Sequence, residues 1–191
     1  MKDAMELYNY VNTNRDTLSD AEIAEVCEEI RKAGGDRAWV IYLANHDRWW
    51  DSEVDTICSE IRNAPGDRAV AIVLAKIYGW WDSDITTTCS EIRNAPGDIA
   101  RAVAMAKTAG WWDSDVDTTC NEIRNAAGDK AWAICRAKQA GWWDQDYAAT
   151  CEAICNAPGN RAQAIALAKT DGWWVEPGRI GADEQPQHTI H

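Results

Sequence analysis

The chain has 191 residues, 31 of them acidic and 19 basic, for a net charge of −12. Such a charge repels phosphate backbones and anionic lipid, which sets direct nucleic-acid binding aside and makes a neutral or basic protein surface the expected partner. The opening MKDAMELYNYVN has no apolar run long enough for a signal peptide or a membrane span, so no membrane association and a cytoplasmic location are expected.

In chain order, residues 2–12 come first, with Met5, Tyr8 and Val11 on one side of a helix. Terminal units of stacked helical arrays need a cover, so residues 1–18 are assigned as an N-terminal capping helix. A repeat then begins. The pair Trp-Trp occurs at 49–50, 80–81, 111–112, 142–143 and 173–174, each 31 residues after the last. Cys27, Cys58, Cys89, Cys120 and Cys151 keep the same period, as do Gly35, Gly66, Gly97, Gly128 and Gly159. This predicts an all-α fold, an α-solenoid of five 31-residue helix–turn–helix repeats over residues 19–174, held by contacts between neighbours.

Within a repeat, Asp113-Ser114-Asp115-Val116-Asp117 supplies a capping residue and first-turn carboxylates, and Ser114 with Asp117 has capping-box spacing. The first helix starts there. Val116, Cys120 and Ile123 follow as one stripe to face a neighbour. Asn63-Ala64-Pro65-Gly66-Asp67 stops that helix, and Asp67 can cap the next. The second helix is alanine-rich: Ala69, Ala71 and Ala75 recur as Ala100, Ala102 and Ala106, as Ala131, Ala133 and Ala137, and as Ala162, Ala164 and Ala168. Small side chains allow close approach, so these rows are expected to set the stacking.

Gly79, Gly110, Gly141 and Gly172 end the second helix at a left-handed cap, over which the tryptophans fold back. The first repeat departs, with Asn45-His46-Asp47-Arg48 before its Trp pair and Leu18-Ser19-Asp20 at its start. Beyond Trp174 a polar segment is broken by Pro177, Gly178, Gly181 and Pro186, so 175–191 is expected to be a flexible tail. The last first-helix should then lack a helical partner, leaving an apolar end open to self-association.

Stacked helices about 10 Å apart hold equivalent cysteines too far apart to bond, and seven is an odd total, so the thiols are read as reduced. Cys151 and Cys155 form the one close pair, without the further ligands of a thiolate metal site. The string at 113–117 lacks the glycine and glutamate of a calcium loop, with Thr118 and Arg124 in those places. No metal and no cofactor are expected. His46, His188 and His191 are the only histidines, and no nucleophile–base set recurs, so no catalytic residue is assigned and the chain is read as a non-enzyme. Ten of the twelve tryptophans belong to the pairs and are assigned to packing between repeats.

The stretch Lys32-Ala33-Gly34-Gly35-Asp36-Arg37-Ala38 resembles the loop of transcription-activator-like effector repeats, in which two glycines precede the second helix. The resemblance covers a few residues per repeat and implies helical units that each read one DNA base. The 31-residue period is shorter than that family's. Asn63-Ala64, Asn94-Ala95, Asn125-Ala126 and Asn156-Ala157 hardly vary where a base reader needs variation, so no DNA-reading residue is carried across.

One second-helix position does vary, through Trp39, Val70, Arg101, Trp132 and Gln163, and so does the next turn, with Leu74, Met105 and Arg136. Variation on a constant scaffold points to a face that binds a protein or peptide. As an alternative, Asp51, Glu53, Asp82, Asp84, Asp113, Asp115, Asp144 and Asp146 would form an acidic edge that imitates nucleic acid and inhibits a DNA- or RNA-binding enzyme. Capping and solvation are the plainer role for those carboxylates. A self-assembling structural protein, joined through the open end, is a third option.

Overall fold

A computed structural model describes residues 3–178, and among them it has eleven α-helices and no strand. They are α1 (Ala4–Asn14), α2 (Asp20–Lys32), α3 (Arg37–His46), α4 (Val54–Asn63), α5 (Arg68–Ile77), α6 (Ile85–Asn94), α7 (Ile99–Thr108), α8 (Val116–Asn125), α9 (Lys130–Gln139), α10 (Tyr147–Asn156) and α11 (Arg161–Thr170). The odd-numbered helices from α3 to α11 pack each on the next. Each even-numbered helix from α4 to α10 lies against the odd helices before and after it. That succession is consistent with a helical repeat. No helix among the described residues is long and apolar enough to cross a membrane.

Close approach of the odd helices follows from their alanines. Ala69, Ala71 and Ala75 are wholly buried, as are their counterparts on α7 and α9. On α11 the first of the row, Ala162, is exposed, because among the described residues no further odd helix covers it.

The odd helices are tied together at their N-termini by a column of capping side chains. Asp36 Oδ1 accepts the Trp39 N–H that begins its own helix and also the Asp67 N–H, 31 residues on, at 2.9 Å. Asp67 does the same for Val70 and Asp98, Asp98 for Arg101 and Asp129, and Asp129 for Trp132 and Asn160. Backbone bonds run beside this column, from Ala69 N–H to the Pro96 carbonyl and from Ala131 N–H to the Pro158 carbonyl. Each carboxylate thus satisfies two donors that helix formation leaves orphaned.

The charge itself is less welcome than the oxygen. Burial, together with Asp98 and Asp36 on either side, raises the Asp67 pKa above its ordinary value, against the opposing hydrogen bonds from Val70 and Asp98. An acid whose folded value is raised loses stability as pH rises through that value. Asp67→Asn, which keeps Oδ1 as acceptor, should therefore stay within about 1 kcal/mol of wild type at pH 7, while Asp67→Ala should lose about 2–3 kcal/mol. Urea midpoints of the two variants check this. Equal losses would mean that the column contributes charge rather than hydrogen bonds.

The odd helices end alike. On α5 the Gly79 N–H returns to the Lys76 carbonyl and the Trp80 N–H to the Ala75 carbonyl, both at 3.1 Å, with Gly79 at φ +81°. This pair of bonds is a Schellman motif, and it recurs with Trp111, Trp142 and Trp173. In α3 the glycine position is held by Arg48, at φ +61°. A left-handed non-glycine residue is strained, so Arg48→Gly should raise stability by about 0.5–1 kcal/mol. A lower thermal midpoint would show instead that the Arg15 donors, which reach the Asp47 and Arg48 carbonyls, depend on that strain.

Three sequence expectations need correction. The N-cap of α8 is Asp115, which accepts the Thr118 N–H at 2.7 Å, so Ser114 and Asp117 form no capping box. The buried stripe of α8 is Thr119, Cys120 and Ile123, and Val116 is 37 % exposed because it sits at the first helical position, outside the packed turns. On α1, Met5, Tyr8 and Val11 do lie against the core, with Ala4 and Leu7 buried beside them. Small Ala4 brings its N–H to the Gly34 carbonyl, and Tyr8 uses its hydroxyl to reach Asp47 Oδ2 at 2.7 Å. Finally, α10 does not lack a partner, since it lies between α9 and α11; the open side belongs to α11. Of the expected tail, Val175 donates to Cys151 Sγ and Glu176 pairs with Lys169, and residues 179–191 lie outside the described residues.

Candidate functional site

Two sets of polar side chains stand out, and the first is structural. Arg31, Arg62, Arg93 and Arg124 lie in the last turns of α2, α4, α6 and α8. Arg93 shows the arrangement: its Nη2 is 2.5 Å from Asp113 Oδ1 and 2.9 Å from Ser114 Oγ, and its Nε is 3.0 Å from Glu122 Oε1. The guanidinium lies 4.5 Å from the centre of the Trp112 ring, and Trp112 Nε1 donates to the other Glu122 oxygen at 2.7 Å. One arginine therefore joins α6, the Trp-Trp segment and α8 by charge-assisted bonds and a cation–π contact. Arg31 repeats this with Asp51, Ser52, Glu60 and Trp50, and Arg62 with Asp82, Ser83, Glu91 and Trp81. Arg124 keeps Asp144 and Trp143 but has Ala153 where the glutamate would stand.

This lock changes the expected acidic edge. Asp51, Asp82, Asp113 and Asp144 are ion-paired, and Asp84, Asp115 and Asp146 accept backbone N–H groups as N-caps. Glu53 holds an N-cap position without a side-chain cap bond. Arg62 and Arg93 hold Asp82 and Asp113 below the ordinary carboxylate range. Most of the edge is thus engaged within the fold instead of projecting freely.

The second set lies on the odd helices. Arg101 and Met105 of α7 and Trp132 and Arg136 of α9, four of the varied positions, come together. With Ile77, Ala104, Thr108 and Ala109 they line a groove of about 300 Å³. Trp132 is half-buried, and the guanidinium carbons of Arg101 and Arg136 lie 4.7 and 5.7 Å from its ring centre. Both arginines are exposed, and among the described residues neither forms an ion pair. Arg136 donates to Gln139 Oε1 at 2.9 Å. The groove exists because Ala104 stands where α3 has Tyr42 and α5 has Val73.

The remaining varied positions do not join it. Trp39 stacks on Tyr42 with centroids 5.1 Å apart, and Tyr42 stacks in turn on Trp80. This residue is absorbed into an aromatic column of the scaffold. Val70 is 6 % exposed, against the expectation of an open face. Its side chain is short, where Trp39 and Arg101 at the equivalent positions of the flanking helices are long. Leu74 is half-buried against the core, and exposed Gln163 accepts from Asn160 Nδ2. Sequence reasoning missed Ile77, Ala104, Thr108 and Ala109. The shrinking series Tyr42, Val73, Ala104 was the available signal.

All seven cysteines are free, six of them buried and Cys155 half-buried. Burial pushes the Cys27 thiol up to about 12 and Cys135 up to about 11, so both stay neutral at pH 7. Among the described residues no group of three or more His, Cys, Asp or Glu is placed to hold a metal ion.

Comparison with known proteins adds no relative. No family model, curated protein or solved structure matches the chain.

Proposed function

We propose that the chain is an α-solenoid of five 31-residue helix–turn–helix repeats, with α1 as its N-terminal cap, and that it is a non-enzymatic scaffold binding a protein or peptide. The constant separation of 31 residues in the aspartate column supports the repeat. The observation that carries the binding role is the convergence of Arg101, Met105, Trp132 and Arg136 on one groove, because tryptophan and arginine are the side chains that most often dominate binding energy. None of the groove residues is a carboxylate, histidine or thiol, so the lining offers recognition rather than acid–base chemistry. Seven free thiols support a reducing compartment, the cytoplasm.

Affinity capture from native lysate tests the proposal. Replacing both Arg101 and Trp132 by alanine should abolish retention of the partner while the far-ultraviolet circular dichroism and thermal midpoint stay near wild type. Unchanged capture would remove the groove from the binding face.

A second reading, self-association, is favoured by one observation. Ala162 and Ala166 on α11 are exposed where their counterparts Ala131 and Cys135 on α9 are buried. Sedimentation at increasing concentration should show a dimer that Ala166→Asp abolishes; a monomer throughout would exclude it.

A further inference from the structure

We infer that the groove between α7 and α9 receives an acidic peptide: an Asp or Glu carboxylate pairs with Arg101 and Arg136, and an adjoining aliphatic or aromatic side chain rests on Met105, Ile77 and the Trp132 ring. This builds on the binding-scaffold proposal and adds the chemistry of the ligand.

Two like charges share one tryptophan ring. Guanidinium carbons 4.7 and 5.7 Å from the same ring centre, on neighbouring helices, are close enough to disfavour one another. An anion held between them turns that repulsion into two charge-assisted contacts, and the planar guanidinium fork matches a carboxylate. Arg31, Arg62, Arg93 and Arg124 each carry a carboxylate, and Arg15, Arg37, Arg68 and Arg161 donate to backbone carbonyls. Among the described residues Arg101 and Arg136 have no carboxylate, although the chain bears 31 acidic residues that could have supplied one. The net charge alone suggests a basic partner, but the local charge at this groove is positive and calls for the reverse.

The floor and rim narrow the choice further. Met105, Ile77 and the Trp132 ring make an apolar bed over the wholly buried Ala104, with Ile77 40 % exposed and neighbouring Tyr78 59 % exposed. An acidic side chain flanked by an apolar one satisfies both parts. Thr108 and Ala109 form the C-terminal end of α7, the negative end of the helix dipole. A singly charged carboxylate is tolerated there better than a phosphate dianion.

Selection of random linear peptides displayed on phage, against the full chain and against R101Q/R136Q, tests the inference. Peptides with Asp or Glu next to Leu, Ile, Met, Phe or Trp should be enriched on the wild-type chain. Synthetic copies should bind R101Q/R136Q at least about tenfold more weakly, with the thermal midpoint of the variant unchanged. Changing the peptide's Asp or Glu to Asn or Gln should give a similar loss, and phosphoserine in its place should not bind more tightly. Enriched peptides without acidic residues, or with equal affinity for R101Q/R136Q, would overturn the acidic ligand while leaving a peptide-binding scaffold in place. Tighter binding of phosphoserine would overturn the carboxylate assignment. A selection that enriches nothing would overturn the inference, and the lysate capture with Arg101 and Trp132 replaced would then decide separately whether the scaffold binds a folded partner.

Discussion

Replacing Gly97 with alanine should lower stability by at least about 3 kcal/mol, or roughly 6–12 °C in the thermal midpoint for a chain of this size. Gly97 lies at φ +115°, where L side chains are strained, and a Cβ there would fall 2.1 Å from Asp67 Oδ1 and 2.8 Å from the Asp67 Cα. The second of these contacts is with backbone, so no rotamer relieves it. The clash also falls on the carboxylate that caps α5 and accepts the Asp98 N–H, so relief by movement breaks the column between successive odd helices. Gly110 makes the control. It has φ +84° but nothing within 4 Å of the added carbon, so Gly110→Ala should cost only the left-handed strain, about 1 kcal/mol. Because neighbours stabilise one another in a stacked array, Gly97→Ala should also broaden or split the unfolding transition, separating the helices before it from those after it. Similar midpoints for the two variants would mean that the turn around Gly97 is loose.

The second large effect belongs to the arginine lock. Arg93→Ala removes one guanidinium from Asp113, Glu122, Ser114 and the Trp112 ring together, and about 2 kcal/mol should be lost, a figure reduced because the arginine side chain is 32 % exposed. Arg93→Lys should recover only part of it, since an ammonium cannot fork between two carboxylates while lying flat on an indole. Arg124→Ala should lose about half as much, because Ala153 has already removed the glutamate from that copy. The pH dependence follows from Asp113. Its folded pKa is depressed by the Arg93 hydrogen bond, so the contribution is present above the ordinary carboxylate value of about 4 and fades as pH falls through the lower folded value. In Arg93→Ala that carboxyl returns toward its ordinary value, and the acid limb of the stability curve should flatten. Urea midpoints at neutral and acidic pH check both points; equal losses for Arg93→Ala and Arg124→Ala would show that Glu122 adds nothing to the lock.

Helix positions, glycine turns and the alanine rows were readable because each is fixed by backbone geometry, and backbone geometry selects a narrow set of residues wherever it recurs. Gly79 before Trp80, or Asp67 after Gly66, could hardly mean anything else. The arginine lock was harder to see, although Glu91 and Arg93 each recur in four of the five repeats. A carboxylate before a helix reads as a cap, and nothing in the local pattern tells that Asp113 pairs with an arginine 20 residues upstream while Asp115 does the capping. Val70 and Arg101 look alike as varied positions. Their difference in exposure depends on the lengths of side chains on neighbouring helices, which only the packed structure brings side by side. The groove was half legible: the tryptophan and arginines stood out by their variation, but the hollow beneath them comes from what Ala104 lacks.

Hydrogen–deuterium exchange of the full chain, with and without a captured partner, is the most direct test of the proposed binding face. Slowed exchange in residues 99–108 and 130–139, the two helices that form the groove, is the expected result. Slowed exchange confined to residues 51–55, 82–86 and 113–117 would contradict it, because it would put the partner on the carboxylate side and leave the Arg101–Trp132–Arg136 groove unused.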